Sequence, residues 1–215
     1  MNAGTLTLTV DGPVGVIDVA LDLPSGPVTG VAVIAHPHPL FGGTRDNKGV
    51  QTLARALLAT GHACWRPNFR GIGASAGEYD EGRGETEDLL AVVAAARSHE
   101  SANAQAADSL VLAGFSFGSF VQTRVAARLR AQGAPAARMV LVGTATSRFE
   151  VETVPDDTVL IHGELDDTVP LQSVLDWARP QELPVIVIPG ADHFFHRRLP
   201  QIKRIVVDAM EARRS

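Results

Sequence analysis

Short runs of apolar residues alternate with longer amphipathic segments along most of this chain. Residues 5–10 and 15–21 alternate apolar and polar positions with a period of two, which is typical of half-exposed strands. Residues 31–35 are apolar throughout, as in strands that are buried on both faces. The pattern predicts strands at 5–10, 15–21, 31–35, 62–67, 109–114, 138–143, 158–163 and 185–189, and helices at 47–60, 85–100, 119–131, 171–178 and 200–213.

The order of these elements predicts an α/β fold. From residue 31 onward strands and helices alternate, which indicates a mostly parallel sheet with helices on both faces. The two leading strands are expected to add an antiparallel edge. With 215 residues, of which 45% are hydrophobic, the chain suits a single domain over residues 1–215 with a sizeable core. Ligands of such sheets bind beyond the carboxyl ends of the strands, so chemistry is expected there.

Composition and charge narrow the classes of function. The net charge of -5 leaves no basic stripe to neutralise phosphates, so we expect no nucleic-acid partner. Residues 1–12 do not read as a signal peptide, and no apolar run is long enough to span a bilayer. We therefore expect a cytoplasmic protein without a membrane partner, either a monomer or a small homo-oligomer.

Metal and cofactor chemistry finds little support in the sequence. Cys64 is the single cysteine, and its place inside a strand predicts a small core residue. His36 and His38, in the sequence HPHP, have no cluster of carboxylates or thiolates nearby, which makes a poor metal site. We expect neither a metal nor a cofactor.

Polar and glycine-rich sequences follow five of the predicted strands. They are HPHPLFGG at 36–43, FRGIGASAG at 69–77, GFSFG at 114–118, HGELDDTVP at 162–170 and GADHFFH at 190–196. The carboxyl ends of parallel strands meet at one edge of a sheet. A serine, an acid and a histidine are therefore expected at the same edge, in the chain order Ser, Asp, His.

Ser116 lies at the centre of GFSFG, between a buried strand and a helical pattern. A sharp strand-to-helix turn requires glycine two residues to either side, because a Cβ atom at those positions would clash. The serine Oγ then projects above the sheet, at a helix N-terminus whose free N–H groups can stabilise an oxyanion. The alternative is an ordinary serine between a strand and a helix, and the context favours the nucleophile.

A catalytic serine requires a base, and the base requires an acid that orients it. His193 follows the last strand and is favoured over His196, which enters the final helix and can be a surface residue. Asp166 is favoured as the acid, with Asp167 capping the next helix or facing solvent. The alternative is that both aspartates serve as caps. Asp192 is too close in sequence to His193 to orient its ring easily.

These motifs carry a family resemblance. GFSFG, HGELDDTVP and GADHFF resemble the nucleophile, acid and histidine loops of the α/β-hydrolase superfamily. HPHPLFGGT with NFRGIGASAGEYD is similar to the small, lidless hydrolases related to dienelactone hydrolases and to acylpeptidase-type catalytic domains. The resemblance runs from about residue 28 to the end and implies Ser116, Asp166 and His193 as the triad. Residues 144–157 are too few for a multi-helix lid, so we expect an open site.

The resemblance also implies an oxyanion hole made of two backbone N–H groups. The first belongs to Phe117, which follows the nucleophile. The second comes from the loop after the third strand, in which the prolines have no N–H to offer. We expect Leu40 to be this donor, with His38 and Phe41 as the alternatives.

Together these features predict a serine hydrolase that cleaves small or short-acyl carboxylic esters through an acyl-enzyme. Dienelactone hydrolases typically carry cysteine where this chain has Ser116, so the resemblance does not extend to dienelactone as the substrate. The alternatives are a thioesterase or an amidase or peptidase-type acyl hydrolase with the same triad. A non-catalytic scaffold of this fold is a third possibility, because fold does not fix function.

Aromatic side chains surround the proposed site in sequence: Phe41, Phe117, Phe194 and Phe195. They either form an apolar wall for the substrate or pack the loops against the sheet. Phe41 and Phe194 are the candidates for lining a substrate pocket. Arg70 is expected to anchor its loop through an ion pair rather than to bind the substrate.

Overall fold

Eight strands form one sheet in the computed structural model, which describes residues 4–212. Residues 1–3, part of the N-terminal segment considered above, and Arg213, the last residue of the final predicted helix, lie outside this range. Every predicted strand is present. The strands are Leu6–Gly12 (β1), Gly15–Asp22 (β2), Gly30–Ala35 (β3), His62–Pro67 (β4), Leu110–Phe115 (β5), Arg138–Val142 (β6), Val159–Gly163 (β7) and Val185–Ile188 (β8).

The helices follow the predicted order, with one addition. In the described residues they are Lys48–Ala59 (α1), Arg83–Ser98 (α2), Ala104–Asp108 (α3), Phe117–Ala131 (α4), Leu171–Ala178 (α5) and Leu199–Glu211 (α6). The sequence pattern missed α3, since five residues are too few to establish a helical period. It also placed the start of α2 too late. The Glu85 carboxylate accepts hydrogen bonds from the N–H groups of Gly82 and Asp80, both at 2.8 Å, and so lies in the first turn of the helix.

The sheet has the strand order β1-β2-β4-β3-β5-β6-β7-β8. β1 pairs with β2, and β2 with β4, in antiparallel fashion, and all the other pairs are parallel. This confirms the mostly parallel sheet with an antiparallel edge. β5 lies between β3 and β6, so the turn that follows it is near the middle of the sheet edge.

The core lies on both faces of the sheet. Along β3, Val31 and Val33 belong to the cluster that includes residues of α2, α4 and α5, whereas Ala32 and Ile34 belong to the cluster that includes residues of α1 and α6. Burying each Val or Ile side chain stabilises the fold by roughly 1.5–3 kcal/mol, and a register slip of one residue would exchange the two faces. Strand ends are therefore held in a fixed order along one edge.

The loops around that edge are short or anchored. The Arg70 guanidinium donates to both oxygens of Asp88, from Nε at 2.8 Å and from Nη2 at 2.9 Å, which is the ion-pair role expected for it. Residues 143–158 lie wholly within the described range and contain no helix, so no lid covers the edge there. Within residues 4–212 we find no helix with the length and apolar character that crossing a membrane requires.

Candidate active site

Ser116 occupies a tight turn between β5 and α4. Its backbone has φ 56° and ψ -118°, a strained conformation for a residue with a side chain. The turn is held by the Ser116 N–H, which donates to the carbonyl of Val142 at 2.8 Å. A Cβ atom on Gly114 would lie 2.5 Å from the Ser119 backbone nitrogen, and one on Gly118 would lie 2.3 Å from the Ala35 oxygen. Both glycines of the motif are thus required by close backbone approach.

His193 and Asp166 meet Ser116 at this turn. His193 Nε2 lies 2.9 Å from the Ser116 Oγ, and His193 Nδ1 lies 2.7 Å from Asp166 Oδ2. Because an ionised carboxylate only accepts hydrogen bonds, we assign the ring proton to Nδ1. Nε2 then carries the lone pair that faces the serine hydroxyl. The structure brings together the three side chains that the sequence singled out, all of them buried.

The Asp166 carboxylate is held from three directions. Its Oδ1 accepts from the Thr168 N–H at 3.0 Å and from the Val169 N–H at 2.7 Å. Its Oδ2 also lies 3.4 Å from Nε2 of His162, a ring that hydrogen-bonds the Val169 carbonyl at 2.9 Å. Burial lowers the pKa of His162, so this ring is neutral and donates from Nε2. Asp166 therefore both orders its own turn and faces His193.

Asp192 and His196, the acid and histidine near His193 in sequence, pair with each other instead. His196 Nδ1 hydrogen-bonds Asp192 Oδ2 on the exposed surface, and this bond lowers the pKa of the Asp192 carboxyl. Asp167 is exposed. His193 is further fixed by Phe115, whose ring stacks on it with a centroid distance of 5.4 Å and an interplanar angle of 25°. His193 and Asp166, rather than their neighbours, form the chain of hydrogen bonds that ends at Ser116.

The loop after β3 passes close to the N-terminus of α4. Because Gly118 has no side chain, its backbone packs directly against the carbonyls of Ala35 and His36. His36 ties this loop to the one after β4, with Nδ1 2.7 Å from the Pro37 oxygen and Nε2 accepting from the Phe69 N–H at 2.9 Å. Burial lowers the pKa of His36 to about 4, so the ring stays neutral near neutral pH.

The structure does not bring Leu40 into the site in the way expected. Its N–H donates to His38 Nδ1 at 3.3 Å, and Leu40 is not among the residues that line the cleft around Ser116. The Phe41 N–H is also engaged, by the His38 oxygen at 3.1 Å. A single 3₁₀ turn at Pro39–Phe41 uses these groups internally. In the described chain, the N–H groups of His38 and Phe117 have no protein acceptor, which makes His38 the better candidate.

A cleft of about 310 Å³ opens in front of Ser116. Phe41 and Phe194 line it and are 75% and 56% exposed, whereas Phe117 and Phe195 are buried in the core. Two of the four phenylalanines thus line the cleft, and the other two pack in the core. The lining residues are Pro37, His38, Phe41, Gly42, Gly43, Asn47, Ser116, Arg148, Thr168, His193 and Phe194. Sequence reasoning missed Arg148, because nothing in the loop that follows β6 ties it to the strand-end motifs.

The described residues assemble neither a metal site nor a reactive thiol. Within 4–212 no group of three or more His, Cys, Asp or Glu side chains is arranged to hold a metal ion. Cys64 is fully buried, and burial raises the pKa of its thiol, so it is a core residue rather than a nucleophile. The sheet order and the strained serine turn place the molecule in the class of α/β hydrolases.

Comparisons with known proteins agree. XC6422 from Xanthomonas campestris, described as an α/β serine hydrolase without a lid, is 35% identical, with 99% of this chain and 96% of that one covered and a TM-score of 0.86. An α/β serine hydrolase homologue from Coxiella burnetii is 35% identical, with 97% and 99% covered and a TM-score of 0.83. The uncharacterized protein RP471 of Rickettsia prowazekii is 28% identical over 92% of this chain and 85% of its own. A thioesterase-domain family model matches residues 74–169. The chain belongs to the lidless α/β serine hydrolases.

Proposed function

We propose that this hydrolase cleaves small carboxylic esters, with Ser116 as nucleophile, His193 as general base and acid, and Asp166 as the group that orients His193. The observation that carries the proposal is the continuous chain of hydrogen bonds, 2.9 Å from Ser116 Oγ to His193 Nε2 and 2.7 Å from His193 Nδ1 to Asp166. A serine hydroxyl is a weak nucleophile unless a base of this kind takes its proton.

In the proposed reaction, Ser116 Oγ attacks the ester carbonyl carbon while its proton moves to His193 Nε2. The carbonyl oxygen becomes an oxyanion that accepts from the backbone N–H groups of Phe117 and His38. The intermediate collapses, the alkoxide leaves with the proton from His193, and the acyl group stays on Ser116. Water then repeats the sequence and releases the acid. The small, open cleft beside Phe41 and Phe194 supports short acyl chains.

The test combines a covalent probe with a graded substrate series. We expect a fluorophosphonate to label Ser116, and p-nitrophenyl esters to be cleaved with a maximum at short acyl chains and without interfacial activation. Ser116→Ala should abolish both labelling and hydrolysis. Ser98→Ala, at the exposed end of α2, is the matched control and should behave as the parent. Hydrolysis that survives in Ser116→Ala, or a parent protein that neither binds the probe nor cleaves any ester of the series, would overturn the proposal.

Thioester hydrolysis is the second candidate. The match of the thioesterase-domain model to residues 74–169, a span that contains Ser116 and Asp166, favours it. The same triad serves both reactions, because the attacking serine and the oxyanion are the same and only the leaving group differs. An oxygen ester and a thioester with the same acyl group should be compared by kcat/KM. A preference for the thioester of more than about tenfold would assign the protein as a thioesterase.

A further inference from the structure

Arg148 stands beside the proposed nucleophile without being part of the triad. It belongs to the loop that follows β6, the strand whose last residue, Val142, accepts the Ser116 N–H at 2.8 Å. Arg148 lines the same cleft as Ser116, His193 and Phe194. Arg148 is therefore close enough to Ser116 to share the cleft that a substrate would occupy.

The loop that carries Arg148 is anchored on both sides. Before it, the Thr146 hydroxyl hydrogen-bonds the Ser173 hydroxyl at 2.8 Å, which ties the loop to α5. After it, the Phe149 ring stacks on Phe120 of α4, with centroids 4.5 Å apart and an interplanar angle of 13°. Arg148 thus projects from a fixed backbone, so a contact with substrate would require ordering of the side chain alone.

The guanidinium of Arg148 has acids nearby but is paired with none of them in the described residues. In the part of the chain that the structure describes, its guanidinium forms no ion pair. The acids of the groove on its other side, Glu81, Glu150 and Glu152, are near enough to share that groove but do not pair with it. None of the residues lining the Ser116 cleft is an Asp or Glu.

The field of Arg148 also reaches into the cleft. The pKa of His38 is lowered, first by burial of the ring and then by the positive charge of Arg148. An anionic group in the cleft would experience the same field with the favourable sign. Because Arg148 supplies one positive charge with a planar fork of donors, it matches a single carboxylate.

We propose that Arg148 determines specificity by binding a carboxylate on the substrate, so that the preferred substrates are small esters with one carboxylate a few atoms from the scissile carbonyl. This inference rests on the proposed ester hydrolysis at Ser116. It defines which esters the open cleft selects, since the exposed Phe41 and Phe194 accommodate an apolar chain but do not discriminate between charged and neutral ends.

The experiment uses pairs of esters in which one member carries a carboxylate and the other a neutral group at the same position. In one arm, mono-p-nitrophenyl glutarate is compared with p-nitrophenyl pentanoate, which places the carboxylate on the acyl chain. In the other arm, 4-(butanoyloxy)benzoate is compared with 4-(butanoyloxy)benzamide, which places it on the leaving group. The ratio of kcat/KM for the charged ester to that for the neutral ester is measured in each arm, with the uncatalysed rate subtracted.

We expect Arg148→Gln to lower this ratio about tenfold in the arm that matches the natural position of the carboxylate, mainly through KM, and to leave the neutral esters within about twofold. Arg148→Lys should retain part of the ratio, since it keeps the charge but loses the fork. The matched control is Arg124→Gln, which removes one positive charge from the neighbouring groove and not from the cleft. It should leave the ratio unchanged.

Two outcomes would overturn the inference alone, with neutral esters still cleaved. In the first, the ratio is the same in the parent and in Arg148→Gln in both arms. In the second, Arg124→Gln lowers the ratio as much as Arg148→Gln does, which would indicate the general field of the protein rather than a contact. If no ester of either arm is cleaved, the proposed function fails and the inference fails with it.

Discussion

Replacing Asp166 by Asn tests the orienting role with almost no change in shape. The Oδ1 position accepts from two backbone N–H groups, at 3.0 and 2.7 Å, so the asparagine oxygen is required there. The amide NH₂ then takes the Oδ2 position, 2.7 Å from His193 Nδ1. An NH₂ group donates, so Nδ1 must accept and the ring proton moves to Nε2. In that tautomer Nε2 has no lone pair for the Ser116 proton.

The expected loss is large for so small a change. A histidine held in the wrong tautomer lowers kcat about 10⁴-fold in enzymes with a Ser-His-Asp triad, which corresponds to about 5 kcal/mol of transition-state stabilisation. The assay is kcat on a short p-nitrophenyl ester, with thermal unfolding measured in parallel to show that the variant is folded. Asp167→Asn, on the exposed neighbour, is the matched control and should retain the parent activity. A folded Asp166→Asn protein with more than about a tenth of the parent kcat would refute the orienting role.

Three further predictions concern the supports of the site. Gly118→Ala places a Cβ 2.3 Å from the Ala35 oxygen, so we expect a loss of about 1–3 kcal/mol of stability, seen as a lower Tm, and a lower kcat; an unchanged Tm would contradict the close packing. The unfolded chain protonates His36 near pH 6.5, whereas the folded protein does so near pH 4. His36 should therefore contribute a loss of stability of about 1.4 kcal/mol per pH unit as pH drops through this window, and denaturant unfolding of His36→Asn should show a shallower dependence. Cys64 is fully buried and burial raises its pKa, so a thiol reagent should modify it only in denaturant; rapid reaction of the native protein would argue against this core position.

Strands and helices with a clear periodicity of apolar residues were predictable, because the apolar positions are the ones that the fold buries. Strand 62–67 and helix 171–178 agree with the structure at both ends. The start of α4 was placed at residue 119 rather than at Phe117, since the strained turn at Ser116 lets the helix begin at once after the strand. Such boundaries depend on turn geometry, which leaves a weaker imprint on the sequence than periodicity does.

The second N–H donor of the proposed oxyanion hole could not be predicted from residue types alone. In HPHPLFGG the prolines were excluded as donors, and Leu40 was expected to be the donor, with His38 and Phe41 as the alternatives. The choice depends on which N–H groups are already hydrogen-bonded in the turn at Pro39–Phe41. In that turn the N–H groups of Phe41 and Gly42 donate to the carbonyls of His38 and Pro39. Hydrogen-bond allocation of this kind is decided by the fold of the loop and not by the residue types alone.

By itself the sequence predicted the class of fold and singled out a serine, an acid and a histidine for one edge of the sheet. Strand–helix alternation favours a mostly parallel sheet, and the parallel strands of such a sheet end at the same edge. Only the tertiary structure decided that Phe117 is buried while Phe41 is exposed, that Asp166 faces His193, and that Arg148 lines the cleft. These properties depend on how loops from distant parts of the chain pack against one another, and no local pattern along the chain encodes that packing.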